Sequence, residues 1–161
     1  MISLGILTSG FLGIFALLSQ SLSINRVTAD DLTATYLAAE GVELAKNIID
    51  HDVYAHLATP PQGAGWDSSF GGGGAFELDS ASCTTGGGPC VVAFSGRTLR
   101  YDPATHLYGY ANTVGSVATT YVRRINITVP NANEIVANSV VTGPVSGGSV
   151  NLEDHFYNWH P

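Results

Sequence analysis

The sequence predicts an α+β protein in which one long N-terminal α-helix carries a small C-terminal antiparallel β-sheet packed on its second half. Three observations predict it. No charged residue precedes Arg26, so the chain opens on one continuous apolar run. Beyond Arg26 charged and apolar residues recur at helical spacing, and no proline interrupts the chain before Pro60. After a Gly-rich stretch, short apolar-polar alternations bounded by turn residues fill the remainder. The chain therefore divides into a hydrophobic transmembrane helix half over 1–25, an amphipathic helix half over 26–57, and a head of loops and sheet over 58–161.

The first half reads as a membrane-spanning helix over Ile2–Leu22, since about 20 residues at 1.5 Å each match a ~30 Å hydrocarbon core. Its bulky residues Leu4, Leu7, Phe11, Phe15, Leu18 and Leu22 recur at steps of three or four and form one stripe. Gly5, Ser9 and Gly13 recur at steps of four and form a small-residue groove, the kind through which helices in lipid approach closely. No basic segment precedes the run and no Ala-x-Ala pattern follows it, which implies a leader removed upstream of Met1.

The amphipathic half places Leu32, Tyr36, Leu44 and Ile48 on one side, with Asp30, Asp31, Glu40, Glu43, Lys46 and Asp50 decorating the rest. One helix from Ile2 to about Tyr54 is roughly 75–80 Å long. Thr59-Pro60-Pro61 cannot continue it.

Residues 60–90 are rich in Pro and Gly and predict turns and long surface loops. Their Gly runs lack the Gly-Lys-Ser/Thr ending of a phosphate-binding loop. Cys83 and Cys90 lie in this stretch as a disulfide suited to an oxidising compartment, or as two free thiols. Closing so short a loop would stabilise the fold by roughly 2–3 kcal/mol. Strand-like segments follow at 91–94, 99–101 and 107–110. Over Tyr121–Val129 the residues Tyr121, Ile125, Ile127 and Val129 face one way, and Arg124, Asn126 and Thr128 the other. Pro130–Asn133 makes a hairpin loop to a strand over Glu134–Val141, Gly143–Ser149 a further loop, and Val150–Trp159 a last strand.

The net charge of −7 and the scarcity of clustered cations argue against nucleic acid as a partner. The histidines at 51, 56, 106, 155 and 160 show no pairing at zinc-ligand spacing, and no nucleophile elbow occurs, so neither a metal, a cofactor nor an enzymatic activity is expected. Asn126-Ile-Thr128 fits the N-glycosylation acceptor pattern.

Leu4–Leu18, followed by Ala34-Thr-Tyr-Leu-Ala-Ala-Glu-Gly-Val-Glu-Leu-Ala-Lys-Asn-Ile-Ile-Asp50, resembles the N-terminal helix of bacterial prepilin-type proteins, especially minor pilins of the type IV pilin family. Asn151-Leu-Glu-Asp-His-Phe-Tyr-Asn-Trp159 is similar to the last strand of some of them. The resemblance implies a structural subunit of an extracellular type IV pilus-like filament, a homo-oligomer polymerised through its N-terminal helix. It further implies residence in the inner membrane before assembly, cleavage by a prepilin peptidase, N-methylation of Met1 and extraction by an inner-membrane assembly platform. The assembly core is then Leu4, Gly5, Leu7, Ser9, Phe11, Gly13, Phe15 and Leu18. The family places Glu at the fifth mature position, where it pairs with a neighbour's N-terminal amine, and this chain has Gly5. An unpaired ammonium in an apolar core costs several kcal/mol. The Met1 amine must then be deprotonated, solvated, or bonded to groups such as Ser3 or Thr8 of a neighbour. Gly5 points to a tip or otherwise specialised role, and by widening the small-residue groove it also leaves a differently packed main filament open. The alternatives to the main subunit are a tip minor pilin, a pseudopilin of a secretion or uptake machine, and a membrane-anchored adhesin.

Overall fold

The computed structural model describes residues 2–58, 65–79 and 91–158, with side chains inside the helix described for all but residues 2–4, 6, 56 and 58. Helix α1 runs unbroken from Ile2 to Ala58. At 1.5 Å per residue it is about 85 Å long. It passes through Gly10 and Gly13 without a break, and its threonines do not compete with the backbone ladder. Thr8, Thr28, Thr33 and Thr35 donate to the carbonyls of Gly5, Ile24, Ala29 and Asp31 at 2.8–3.0 Å, so each hydroxyl is satisfied within the helix.

The buried face of α1 is Ala34, Leu37, Ala38, Gly41, Leu44, Ala45, Ile48, Ile49 and Asp52, a clean stripe at steps of three and four. Leu44 and Ile48 face the sheet as expected. Leu32 and Tyr36 do not: they are 55% and 69% exposed and lie beside the stripe. The physical reason is the size of the residues that the sheet selects. Ala34, Ala38, Gly41 and Ala45 let the sheet approach the helix closely, and a reading weighted by bulk overlooks them.

Among the described residues the head contains one seven-stranded sheet, antiparallel in every pairing: β1 (Gly73–Leu78), β2 (Val91–Ala93), β3 (Thr98–Asp102), β4 (Leu107–Gly109), β5 (Val117–Asn131), β6 (Glu134–Thr142) and β7 (Ser149–Tyr157). The 15-residue β5 is its spine. One edge of β5 pairs with β6, which carries β7. The other edge pairs with β3 near its start and with β1 further along, and β4 and β2 extend those two limbs.

Alternation in β5 follows expectation, with Tyr121, Ile125 and Ile127 buried, Val129 half-buried, and Arg124 and Thr128 exposed. The β5–β6 turn is tighter than expected. Strand pairing persists to Asn131 opposite Glu134, and Asn133 N donates to Asn131 Oδ1 at 2.9 Å, an Asx-turn that closes a two-residue loop.

Strand β1 is a correction, because it lies inside the stretch expected to be loop. Its first glycine is required by a close approach. A Cβ on Gly73 would meet Ile127 O at 2.8 Å, and its φ is +114°. Gly71 and Gly72 do form turn, preceded by a 3-10 turn at Ser68–Phe70.

The core falls into two clusters along α1. Ala34, Leu37 and Ala38 pack with Leu99, Tyr121 and Val141. Leu44, Ala45, Ile48 and Ile49 pack with Trp66, Phe70, Leu78, Ile125, Ile127, Ile135 and Ala137. Between the clusters lies a polar seam made by Glu40 and Gly41 of α1, Arg123 of β5 and Ser139 of β6.

Candidate assembly surface

Only the second half of α1 is built into the head. The described side chains from Gly5 to Thr28 are all exposed, among them Leu7, Phe11, Phe15 and Leu18, each more than half exposed. Gly5, Ser9 and Gly13 lie on this bare half, and a Cβ on Gly5 or Gly13 would have nothing within 4 Å. The Leu4 side chain and Met1 lie outside what is described. An 18-residue window of α1 reaches a mean hydropathy of 1.5 with none of it buried, so α1 is a helix long and apolar enough to cross a membrane.

Three acidic residues expected to decorate the helix, Asp30, Asp31 and Glu40, instead fasten the head to it, and Asp52 joins them. Tyr121 Oη donates to Asp30 Oδ1 at 3.1 Å. Ser146, in the β6–β7 loop, donates to Asp31 through its backbone N at 2.8 Å and its hydroxyl at 2.6 Å. Asp52, 4% exposed, accepts the backbone N and hydroxyl of Ser69, both at 2.7 Å, and so holds the 3-10 turn to the far end of α1. Glu43, Lys46 and Asp50 remain exposed, as expected.

The central fastening is Arg123, with 0% exposure. Its Nη1 donates to Glu40 Oε2 at 2.9 Å and to Leu37 O at 3.2 Å, and its Nη2 donates to Leu78 O at 2.9 Å. Tyr110 Oη donates to Arg123 O at 3.1 Å. Arg123 Nε and Ser139 Oγ are buried without a partner. Gly41 permits this seam to close, since a Cβ there would fall against Ser139 Oγ and lie 3.1 Å from Arg123 Cδ. Arg123 is a site residue that its sequence context alone does not single out. The available signal was its parity with Tyr121 and Ile125, which puts it on the inward face.

A second node secures the limb formed by β1 and β2. Glu77, 1% exposed, accepts from Ser95 N, Ser95 Oγ and Arg97 N at 2.9–3.1 Å and from Arg97 Nε. Burial pushes this carboxyl up, but the donors outweigh burial and hold it below the ordinary carboxylate range. The Arg97 guanidinium lies 4.7 Å above the Tyr110 ring.

Beside the uncovered face of α1 runs a groove of about 360 Å³, bounded by Thr33, Tyr36, Leu37 and Glu40 of the helix and by His106, Leu107 and Tyr108 of the β3–β4 hairpin. The Tyr101 ring packs at a tilt against Tyr108 with 5.2 Å between centroids, and its Oη lies 2.8 Å from His106 Nδ1. His106 adopts φ +59°, an uncommon conformation for a residue with a Cβ, at the turn of that hairpin. Nothing in the sequence signals this groove, because it joins residues about seventy positions apart.

The remaining site residues are dispersed. Asn126 is half-buried on the outward face of β5, where its Nδ2 donates to Asn138 Oδ1 at 3.3 Å. Cys83, Cys90 and His160 lie outside the described residues. His51 Nδ1 approaches Asp52 Oδ1 only at 3.8 Å. His155 Nδ1 lies 2.8 Å from Glu134 Oε1, and its Nε2 3.5 Å from Glu153 Oε1. Among the described residues no group of three or more His, Cys, Asp or Glu side chains is placed to hold a metal ion.

Comparison with protein-family models, with curated proteins and with solved structures gave no match to this chain.

Proposed function

We propose that this chain is a structural subunit, held in a membrane by residues 2–25 and polymerising through that helix half into an extracellular filament of the type IV pilus kind. The observation that carries the reading is the division of α1. Its second half is fastened to the head at Asp30, Asp31, Glu40 and Asp52, while the half before Arg26 is uncharged and all of its described side chains are exposed. Such a segment has two stable surroundings, lipid or like segments. Because lipid tails already shield apolar surface, association there depends on close packing. Gly5, Ser9 and Gly13 supply the space for it.

The filament is a homo-oligomer without cofactor or catalytic role, and the subunit reaches it from an inner membrane through a prepilin peptidase and an assembly platform. A second reading, a tip subunit or a pseudopilin, is favoured by one residue: Gly5 stands where the main subunits of this family carry the carboxylate.

The test is cryo-electron microscopy of filaments sheared from the cell surface. This chain repeated along the shaft, with residues 2–22 in the core, is the expected result. Shafts built of another protein would overturn the main-subunit role and leave the tip or piston. A Phe11→Lys variant, close to the middle of residues 2–22, adds a complementary measure. A lysine at an apolar helix centre costs about 2.5–3.5 kcal/mol per subunit, so the yield of sheared filament should vanish.

A further inference from the structure

We propose that the groove between α1 and the β3–β4 hairpin is the docking site for the apolar helix half, residues 2–25, of a second copy of this chain. The inference rests on the polymerising role proposed above and names the surface that receives the helix.

Two features of the chain fit one another. On one side is an insert: a helix half with no charged residue before Arg26 and with Phe11, Phe15, Leu18 and Leu22 each more than half exposed. On the other is a groove whose mouth carries Tyr36 and Leu107, large side chains that are 69% and 59% exposed among the described residues. The groove is chemically prepared for an uncharged helix. Its carboxylate, Glu40, is already bonded to Arg123, and the His106 ring is engaged by Tyr101. An apolar insert therefore strips no unpaired charge of water.

The groove is also continuous with the stripe on α1 itself. Phe11, Phe15, Leu18, Leu22, Asn25, Ala29, Leu32 and Tyr36 follow one another at alternating steps of four and three, the spacing of a helix-helix seam. A neighbouring helix laid along that seam runs directly into the groove. With the two helices parallel, placing residues 2–25 of one copy beside Tyr36 of the next requires a stagger of about 15–50 Å at 1.5 Å per residue.

The consequence is directional. Insert and groove are different surfaces of the same chain, so the contact is heterologous. Each copy that fills a groove offers an empty one, and such contacts propagate into rings or open helical filaments and not into closed two-fold dimers.

The test is photo-crosslinking in the full-length chain, with a benzophenone amino acid at Leu107 and the assembled material digested for mass spectrometry. The expected product joins the Leu107 position to a peptide within residues 2–25 of another copy. In parallel, Leu107→Arg should lower the assembled fraction at least tenfold with unchanged melting of the head. Val92→Arg, an exposed position on β2 at the opposite end of the strand order from β4, should leave assembly within twofold of the parent. Crosslinks to a neighbour's head, to lipid or to a different protein would overturn the assignment, as would normal assembly of Leu107→Arg. If the unsubstituted chain forms no polymer, the proposed function fails. If it polymerises but Leu107 touches no apolar helix, only the groove assignment fails.

Discussion

Replacing Glu40 with alanine removes the carboxylate that faces a guanidinium sealed between helix and sheet. Breaking a buried pair from one side costs about 3–5 kcal/mol, because the remaining charge is left buried and uncompensated. Two features of this site lower that figure. The Glu40 side chain is 35% exposed, so water can follow into the vacated space, and Arg123 keeps its bonds to Leu37 O and Leu78 O. The expected cost is then about 2–3 kcal/mol, or a fall in melting temperature of about 5–10 °C. Arg123→Met should be milder, at about 1 kcal/mol. It puts an apolar chain in an apolar seam, removes the orphaned Nε, and leaves Glu40 beside solvent. The double variant should be no less stable than Arg123→Met alone. The assay is urea denaturation of the full chain in mild detergent, in a Trp159→Phe background, following Trp66, which is 8% exposed in the larger core cluster. A Glu40→Ala protein within about 0.5 kcal/mol of the parent would refute the reasoning, as would an Arg123→Met protein less stable than Glu40→Ala.

Gly41→Ala tests the same seam sterically. Alanine gains about 1 kcal/mol of helix propensity, but overpacking against Ser139 and Arg123 costs about 1–3, so the melting temperature should fall; Ser139→Ala should restore part of the loss and be neutral alone, since its hydroxyl is unpartnered. At the open end of β6 and β7, the hydrogen bond that the His155 ring donates to Glu134, reinforced by Glu153, raises the His155 pKa above its ordinary 6.5, and the same bond holds Glu134 below its ordinary 4.5. The His155 contribution is complete below pH 6.5 and is lost as pH rises through its raised value. The Glu134 contribution is present above pH 4.5 and is lost as pH falls through its lowered value. Stability from this contact should therefore be greatest between about pH 4.5 and 6.5 and decline as pH rises above that window, and His155→Gln should abolish that alkaline decline in melting curves taken across pH.

What was legible in the sequence was whatever depends on short-range periodicity. The charge-free run before Arg26, the unbroken path to Pro60 and the alternation around Ile125 and Ile127 each express a local geometric period, and the helix and the central strand follow from them. Long-range pairing left weaker traces. Leu32 and Tyr36 were assigned to the buried face because they are bulky, whereas the sheet approaches along Ala34, Ala38, Gly41 and Ala45, where small size is the qualification. Strand β1 was hidden because glycine ordinarily signals a turn, while Gly73 is needed for its contact with Ile127 O. The acidic residues of the amphipathic half looked like a solvated face, since their partners at Ser69, Tyr121, Arg123 and Ser146 are known only once the head is folded against them.

The seam at Arg123 bears on how a filament of such subunits would hold its register. In a helical bundle, polar or charged side chains among apolar ones commonly fix which residues lie side by side. This chain has no carboxylate before Asp30, so the bare helix half offers no charge pair for that purpose, and a stripe of similar bulky residues tolerates slippage. The head is different, because its fastenings run from Asp30 to Asp52 and leave little freedom between sheet and helix. A groove built from both elements, such as that between Tyr36 and Leu107, keeps its shape only while those fastenings hold. Register in the filament would then be set by the fit of an apolar helix into a rigid groove, and the pair between Glu40 on the groove wall and the buried Arg123 would contribute by keeping the groove's two walls in place.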